Sequence, residues 1–183
     1  MALIAKNQDG TYASKCALCG NPLAEPIFAT SHFIGDQSHD LYRFSDAAMH
    51  WSCYVSWPDQ ARFASMYFEA AVRRSESSPW PKYWTVLMRS ADMLVLYGLV
   101  VNEASVILRK SGTDIRIARD KWQHWLSGGW REHCRPGLEC DAVAEFIPEL
   151  ARLTLPQPVG PANGSQPIRS ETNSTSSAAG SRR

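Results

Sequence analysis

A chain of 183 residues that is 44% hydrophobic and carries seven Trp is long enough to bury one sizeable core. Its 19 Lys and Arg against 18 Asp and Glu give a net charge of +1, and residues 1–155 hold 16 basic and 17 acidic side chains, so nucleic acid is not the expected partner. The longest apolar run, Met93–Val101, is nine residues and is broken by Gly98, and only Ala2–Ala5 precede Lys6 at the N-terminus. Neither segment has the length of a bilayer span or a signal-peptide core, and a cytoplasmic protein with no membrane partner is expected.

From the N-terminus, the first feature is the pair Cys16-x-x-Cys19 followed by Gly20. The segments EPIFATSHFI and LYRFS flank the polar GDQSHD and predict two strands joined by a loop. Ser45 or Asp46 can cap a helix whose first turn holds Ala47 to His50 and which ends near Trp57-Pro58, placing His50 and Cys53 on one face. A second helix is expected from Pro58-Asp59, with Phe63, Met66, Tyr67, Ala70 and Ala71 as its core stripe. After the linker SESSPWPKY, the segments YWTVLM, MLVLYGLVV, ASVILRK and TDIRI are separated by short polar turns, which predicts an antiparallel meander. Trp122, Trp125 and Leu126 predict a helix stopped at Gly128-Gly129. A last helix capped by Asp141 is expected to turn Val143, Phe146, Ile147, Leu150 and Leu153 inward and to bend at Pro148. Pro156–Arg183, rich in Pro, Gly, Ser and Thr and without aromatics, reads as a disordered tail.

The chemistry concentrates in Cys16, Cys19, His50 and Cys53. A tetrahedral zinc site needs four soft or borderline donors, and a Cys-x-x-Cys knuckle directs two sulfurs to one point. His50-x-x-Cys53 supplies the other two from positions three apart. Asn21-Pro22 after the cysteine pair argues against a redox helix, and in a reducing compartment the pair reads as a metal clip rather than part of a disulfide framework. Because the protein fills all four positions, the zinc is expected to be structural and not catalytic. The pattern Cys-x-x-Cys, hairpin, then two ligands at a helix start resembles the treble-clef zinc module and the first half of a LIM domain, over Cys16 to about Trp57.

The resemblance also implies an enzymatic alternative, since treble clefs carry metal-dependent nuclease sites of the His-Asn-His class. The loop residues His32, Asp36, His39 and Asp40 are the candidates for such a site. Tyr54, not His, follows the last thiol, and no Asp-His or His-His pair with a following Pro is present. Zinc-deaminase, Walker, dinucleotide and nucleophile-elbow motifs are absent too. A second cluster, His124, His133, Cys134 and Cys140, reads as ordinary partly buried residues, and the Trp series as core.

The sequence therefore predicts an α+β protein. Residues 1–57 form a zinc-clipped hairpin and helix, residues 58–155 an antiparallel sheet of three or four strands with flanking helices packed with it as one unit, and 156–183 a tail. The expected role is a non-enzymatic, zinc-stabilised protein-binding or accessory protein of the inhibitor or immunity type, whose partner is another protein.

Overall fold

A computed structural model describes residues 2–77 and 83–157. Trp80, the middle of the linker and the tail from residue 158 lie outside the described residues. The architecture is α+β, as expected, but its N-terminal part is assembled differently from the sequence reading.

The first strand, β1 (Ile27–Ala29), pairs antiparallel with β2 (Ala48–His50), Ile27 facing His50 and Ala29 facing Ala48. The segment LYRFS, expected as the partner strand, is a 3-10 turn at Tyr42–Phe44. Side chains in the loop supply the reason. Asp36 accepts the Ser38 N–H at 2.8 Å and the His39 ring nitrogen accepts that of Leu41 at 3.1 Å, so the chain coils locally instead of extending. Ser45 caps no helix; its hydroxyl oxygen accepts the N–H groups of Phe33 and Ile34, each at 2.8 Å.

Helix α1 is consequently short, Trp51–Val55, with His50 at its N-cap in an extended conformation (φ −59°, ψ 140°). His50 thus ends a strand, and only Cys53 lies in the helix. Helix α2, Gln60–Glu76, begins where the sequence indicated, and Phe63, Tyr67, Ala70 and Ala71 are buried along its stripe. An aromatic cluster fills this lobe. Phe28 stacks on Tyr54 with ring centroids 3.7 Å apart, and Phe63 meets Phe33 and Trp57 at 5.0 and 5.3 Å.

The expected meander forms a four-stranded antiparallel sheet of sequential neighbours: β3 (Trp84–Arg89), β4 (Met93–Gly98), β5 (Glu103–Leu108) and β6 (Thr113–Ala118). Period-two alternation sends Leu94 and Ile107 to the α2 face, where they meet Tyr67, Phe68 and Val72. Met93, Val95, Tyr97, Ala104, Val106 and Leu108 point the other way, into a core shared with Trp122, Trp125, Trp130, Val143 and Leu150. Both faces of the central strands are covered, which is why β4 and β5 read as nearly continuous apolar runs.

Beyond β6 the helical run that holds α3 (Trp122–His124) and continues over Trp125–Ser127 breaks at Gly128, as the Gly128-Gly129 pair predicted, because Gly128 takes a non-helical conformation (φ 133°, ψ −17°). A second short helix, α4 (Trp130–His133), restarts directly beyond this kink. Helix α5 (Leu138–Leu150) starts three residues before the expected cap, behind Gly137, so Asp141 lies in its first turn, where a carboxylate suits the helix dipole. Val143 and Leu150 are fully buried, Phe146, Ile147 and Leu153 pack partly on the same core, and Pro148 sits two residues before the helix end. Leu155 is buried, and Arg119 donates to the Pro156 carbonyl and the Gln157 side chain, so the chain is held to its last described residue.

The two lobes meet where α2 packs on the sheet and again at the β5–β6 turn. Tyr54 donates its hydroxyl proton to the Ser111 carbonyl at 2.8 Å, and Gln60 donates to that of Lys110 at 3.2 Å. Gly112 has φ 65°, and a Cβ there would lie 2.8 Å from the Tyr54 hydroxyl and 2.9 Å from the Ala64 backbone. Only glycine allows this approach.

Candidate metal centre

The knuckle is built by backbone hydrogen bonds. Cys16 N–H donates to Asn21 O and Gly20 N–H to Cys16 O, both at 2.8 Å, and Gly20 takes the left-handed conformation (φ 75°) that closes the turn. Ala17 N–H donates to Ala48 O at 3.0 Å, which ties the knuckle to β2 and brings Cys16 and Cys19 against the strand end that carries His50. Sequence positions about thirty residues apart thereby become neighbours.

Cys16 Sγ, Cys19 Sγ, Cys53 Sγ and a ring nitrogen of His50 all lie within 4.8 Å of one another, the group of metal-ligating side chains found among the described residues. His50 Nδ1 is 3.4 Å from Cys19 Sγ and 3.6 Å from Cys53 Sγ. In a tetrahedron with bonds of ~2.3 Å to sulfur and ~2.05 Å to nitrogen, a sulfur–nitrogen edge is ~3.5 Å. The observed edges fit that shape. His50 Nε2 is 2.9 Å from the Pro22 carbonyl oxygen. Since a carbonyl only accepts, Nε2 carries the ring proton and Nδ1 presents its lone pair to the thiols, the outer contact that orients a ligating imidazole. The group can hold a metal ion.

The electrostatics favour deprotonated sulfur at one corner. Cys16 is buried, which pushes its thiol up, but N–H groups of Cys19, His50 and Leu18 outweigh burial and bring it down to about 7. The His50 N–H lies 3.3 Å from this sulfur. Burial raises the Cys53 thiol to about 11, with Cys19 and Cys16 adding to the effect. Three sulfurs this close cannot share negative charge cheaply without a cation between them.

The other candidate residues do not join this group. His32 packs edge-on against Tyr42 with ring centroids 5.4 Å apart, and Asp36 is bonded to Ser38. His39 is 3.1 Å from the Asp40 carboxylate, and Asp40 accepts a bidentate pair from Arg62 at 2.7 and 2.9 Å. Cys134 and Cys140, read as ordinary thiols, are joined in a disulfide. The intervening Arg-Pro-Gly segment is the signal that could have shown it, because a turn there brings the two ends of CRPGLEC together. His124 and His133 are exposed and line a cleft of about 400 Å³ with Lys121 and Trp125. Four of the Trp residues, 51, 122, 125 and 130, are core as expected; Trp57 packs tilted against Phe44 with ring centroids 4.7 Å apart, and Trp84 carries the Arg116 guanidinium at 4.6 Å.

Comparison of the chain with protein-family models, with curated proteins and with solved structures gives no match. Among the described residues no helix is long and apolar enough to cross a membrane.

Proposed function

We propose that Cys16, Cys19, His50 and Cys53 hold a structural zinc ion in a treble-clef-like module, and that the chain is a non-enzymatic, zinc-stabilised protein-binding protein of the inhibitor or immunity type. The observation that carries the metal reading is the convergence of three sulfurs and one oriented imidazole nitrogen within 4.8 Å of one another, with two sulfur–nitrogen edges of 3.4 and 3.6 Å. Three thiolates and one imidazole favour zinc over hard cations, which take oxygen donors. Four protein donors complete the tetrahedron, so such an ion would fix the fold and not bind a reacting water.

The binding role is supported by where apolar surface remains. Both faces of the central strands β4 and β5 are covered, yet Tyr83, Val86, Val100 and Val101 are 46%, 43%, 78% and 56% exposed at one end and edge of the sheet. Exposed apolar side chains grouped beside an edge strand fit a protein partner in the same compartment as the chain, which we take to be the cytoplasm. The test is a search for a specific partner by crosslinking, with Val100→Asp/Val101→Asp as control. Loss of the crosslink in a variant with unchanged metal content supports the role. Metal-dependent cleavage of nucleic acid by the wild type, abolished in His39→Ala, would contradict it.

A further inference from the structure

The segment between Cys134 and Cys140 has a foot in each lobe. Cys134 and Cys140 pack on the sheet core, whereas Leu138 packs on the aromatic core of the metal-bearing lobe. Arg135 Nε donates to the Ile27 carbonyl at 3.0 Å, and the Trp51 indole N–H donates to the Pro136 carbonyl at 2.9 Å. These are the residues that frame His50. Ile27 is its partner across the β1–β2 ladder, and Trp51 follows it in the chain and donates its own N–H to Pro26 O at 2.8 Å.

The segment is held in this shape from within. Arg135 N–H and guanidinium donate to the two carboxylate oxygens of Glu139 at 2.6 and 2.9 Å, and Glu139 is 2% exposed. The same guanidinium lies 5.4 Å from the Trp51 ring. A buried carboxylate is tolerated while its cation stays in place, so Arg135, Glu139 and Trp51 stand or fall together. The disulfide closes this small loop, with both sulfurs on half-buried residues that a reductant can approach.

We propose that the Cys134–Cys140 disulfide is a redox-controlled clamp on the metal-bearing lobe: closed, it holds Arg135, Pro136 and Leu138 against Ile27 and Trp51, and opened, it frees that lobe and speeds release of the metal ion. The opening step is thiol–disulfide exchange with a dithiol. The protein S–S bond is reduced to two thiols, and the dithiol is oxidised to its own disulfide and supplies both protons. In the cytoplasm, where thiols are kept reduced, such a bond forms only on oxidation, so the clamp tightens metal retention under oxidising conditions and relaxes when dithiols reduce it. The metal-release arm rests on the metal reading above; the clamp itself does not.

The test compares air-oxidised wild type, its disulfide verified by mass after alkylation, with Cys134→Ser/Cys140→Ser and with wild type treated with a phosphine reductant. Amide exchange is read across residues 26–29 and 48–55, together with zinc transfer to a chromogenic chelator. Both opened forms are expected to exchange faster than the closed form by about fivefold or more in those segments, with β4 and β5 unchanged, and to lose zinc faster. Equal exchange in closed and opened protein, or free thiols at both positions after oxidation, would overturn the clamp. Should the double variant fail to fold, the phosphine-treated wild type decides. Protein that purifies without metal would sink the metal reading, while the exchange comparison would still decide the clamp.

Discussion

The N-terminal lobe, with its cysteine–histidine group, and the sheet lobe solve the same problem with different means. In the sheet lobe, four sequential strands bury Leu94, Val95, Tyr97, Val106 and Leu108 between two helical layers. Ladders and apolar area suffice there. The N-terminal lobe has strands of three residues, a five-residue helix and a loop that turns on its own side chains. Such short elements are marginal alone, and the lobe has an aromatic cluster, a cysteine–histidine group that can hold a metal ion, and anchors to the sheet. One lobe is stable through repetition of a simple pattern, the other through a few specific atoms.

The sharpest way to break this contrast is Cys16→Ser. It is expected to abolish metal binding and to strip amide protection from residues 12–57, while β4 and β5 stay protected; uniform loss across both lobes would show that the contrast is wrong. Leu94→Ala, at a fully buried position between β4 and α2, is expected to cost about 2–5 kcal/mol in denaturant unfolding. Metal content should not change. Gly112→Ala tests the seam, because the new methyl meets Tyr54 and Ala64 at a positive φ, and a loss of about 1–3 kcal/mol with both lobes loosened is expected.

Acidification separates the lobes chemically. The Cys16 thiol is lowered to about 7 in the metal-free fold, so its contribution to stability is present above its ordinary value near 9 and is lost as pH falls through about 7. The Cys53 thiol, raised to about 11, works in the opposite sense, contributing below 9 and losing that contribution as pH rises through 11. Metal binding needs both sulfurs deprotonated. Calorimetry in buffers of different ionisation heat should show Cys53 releasing a proton across the neutral range and Cys16 adding one as pH drops from 8 to 6, with affinity falling accordingly. The smallest effect belongs to Arg62→Ala, which removes an exposed pair with Asp40 and should leave melting temperature and metal content unchanged.

The sheet was legible in the sequence because its information is periodic. Apolar runs separated by two- to four-residue polar turns favour a meander, and the strands overlap YWTVLM, MLVLYGLVV, ASVILRK and TDIRI, with ends shifted by one to three residues. The group Cys16, Cys19, His50 and Cys53, which can hold a metal ion, was legible because spacing and donor type are local properties. Their setting was not. Whether His50 ends a strand or opens a helix depends on tertiary bonds, the Ala17 to Ala48 contact and the Ser45 hydroxyl among them, and the Pro22 carbonyl that orients the imidazole is a backbone atom with no sequence signature. LYRFS has the composition of a strand, but side-chain bonds from Asp36 and His39 prevail over propensity. Gly128-Gly129 marks the helix break as read, yet the sequence did not show that a helix restarts at Trp130 and brings it onto the same core as Trp125. Packing decides there, and packing is not local.

We propose that an ion held by Cys16, Cys19, His50 and Cys53 organises the N-terminal lobe. Elemental analysis of tag-free protein, paired with native mass before and after acid treatment, tests it directly. We expect one zinc per chain, lost on acidification together with amide protection in residues 12–57. Metal-free protein with that region fully protected would contradict the claim.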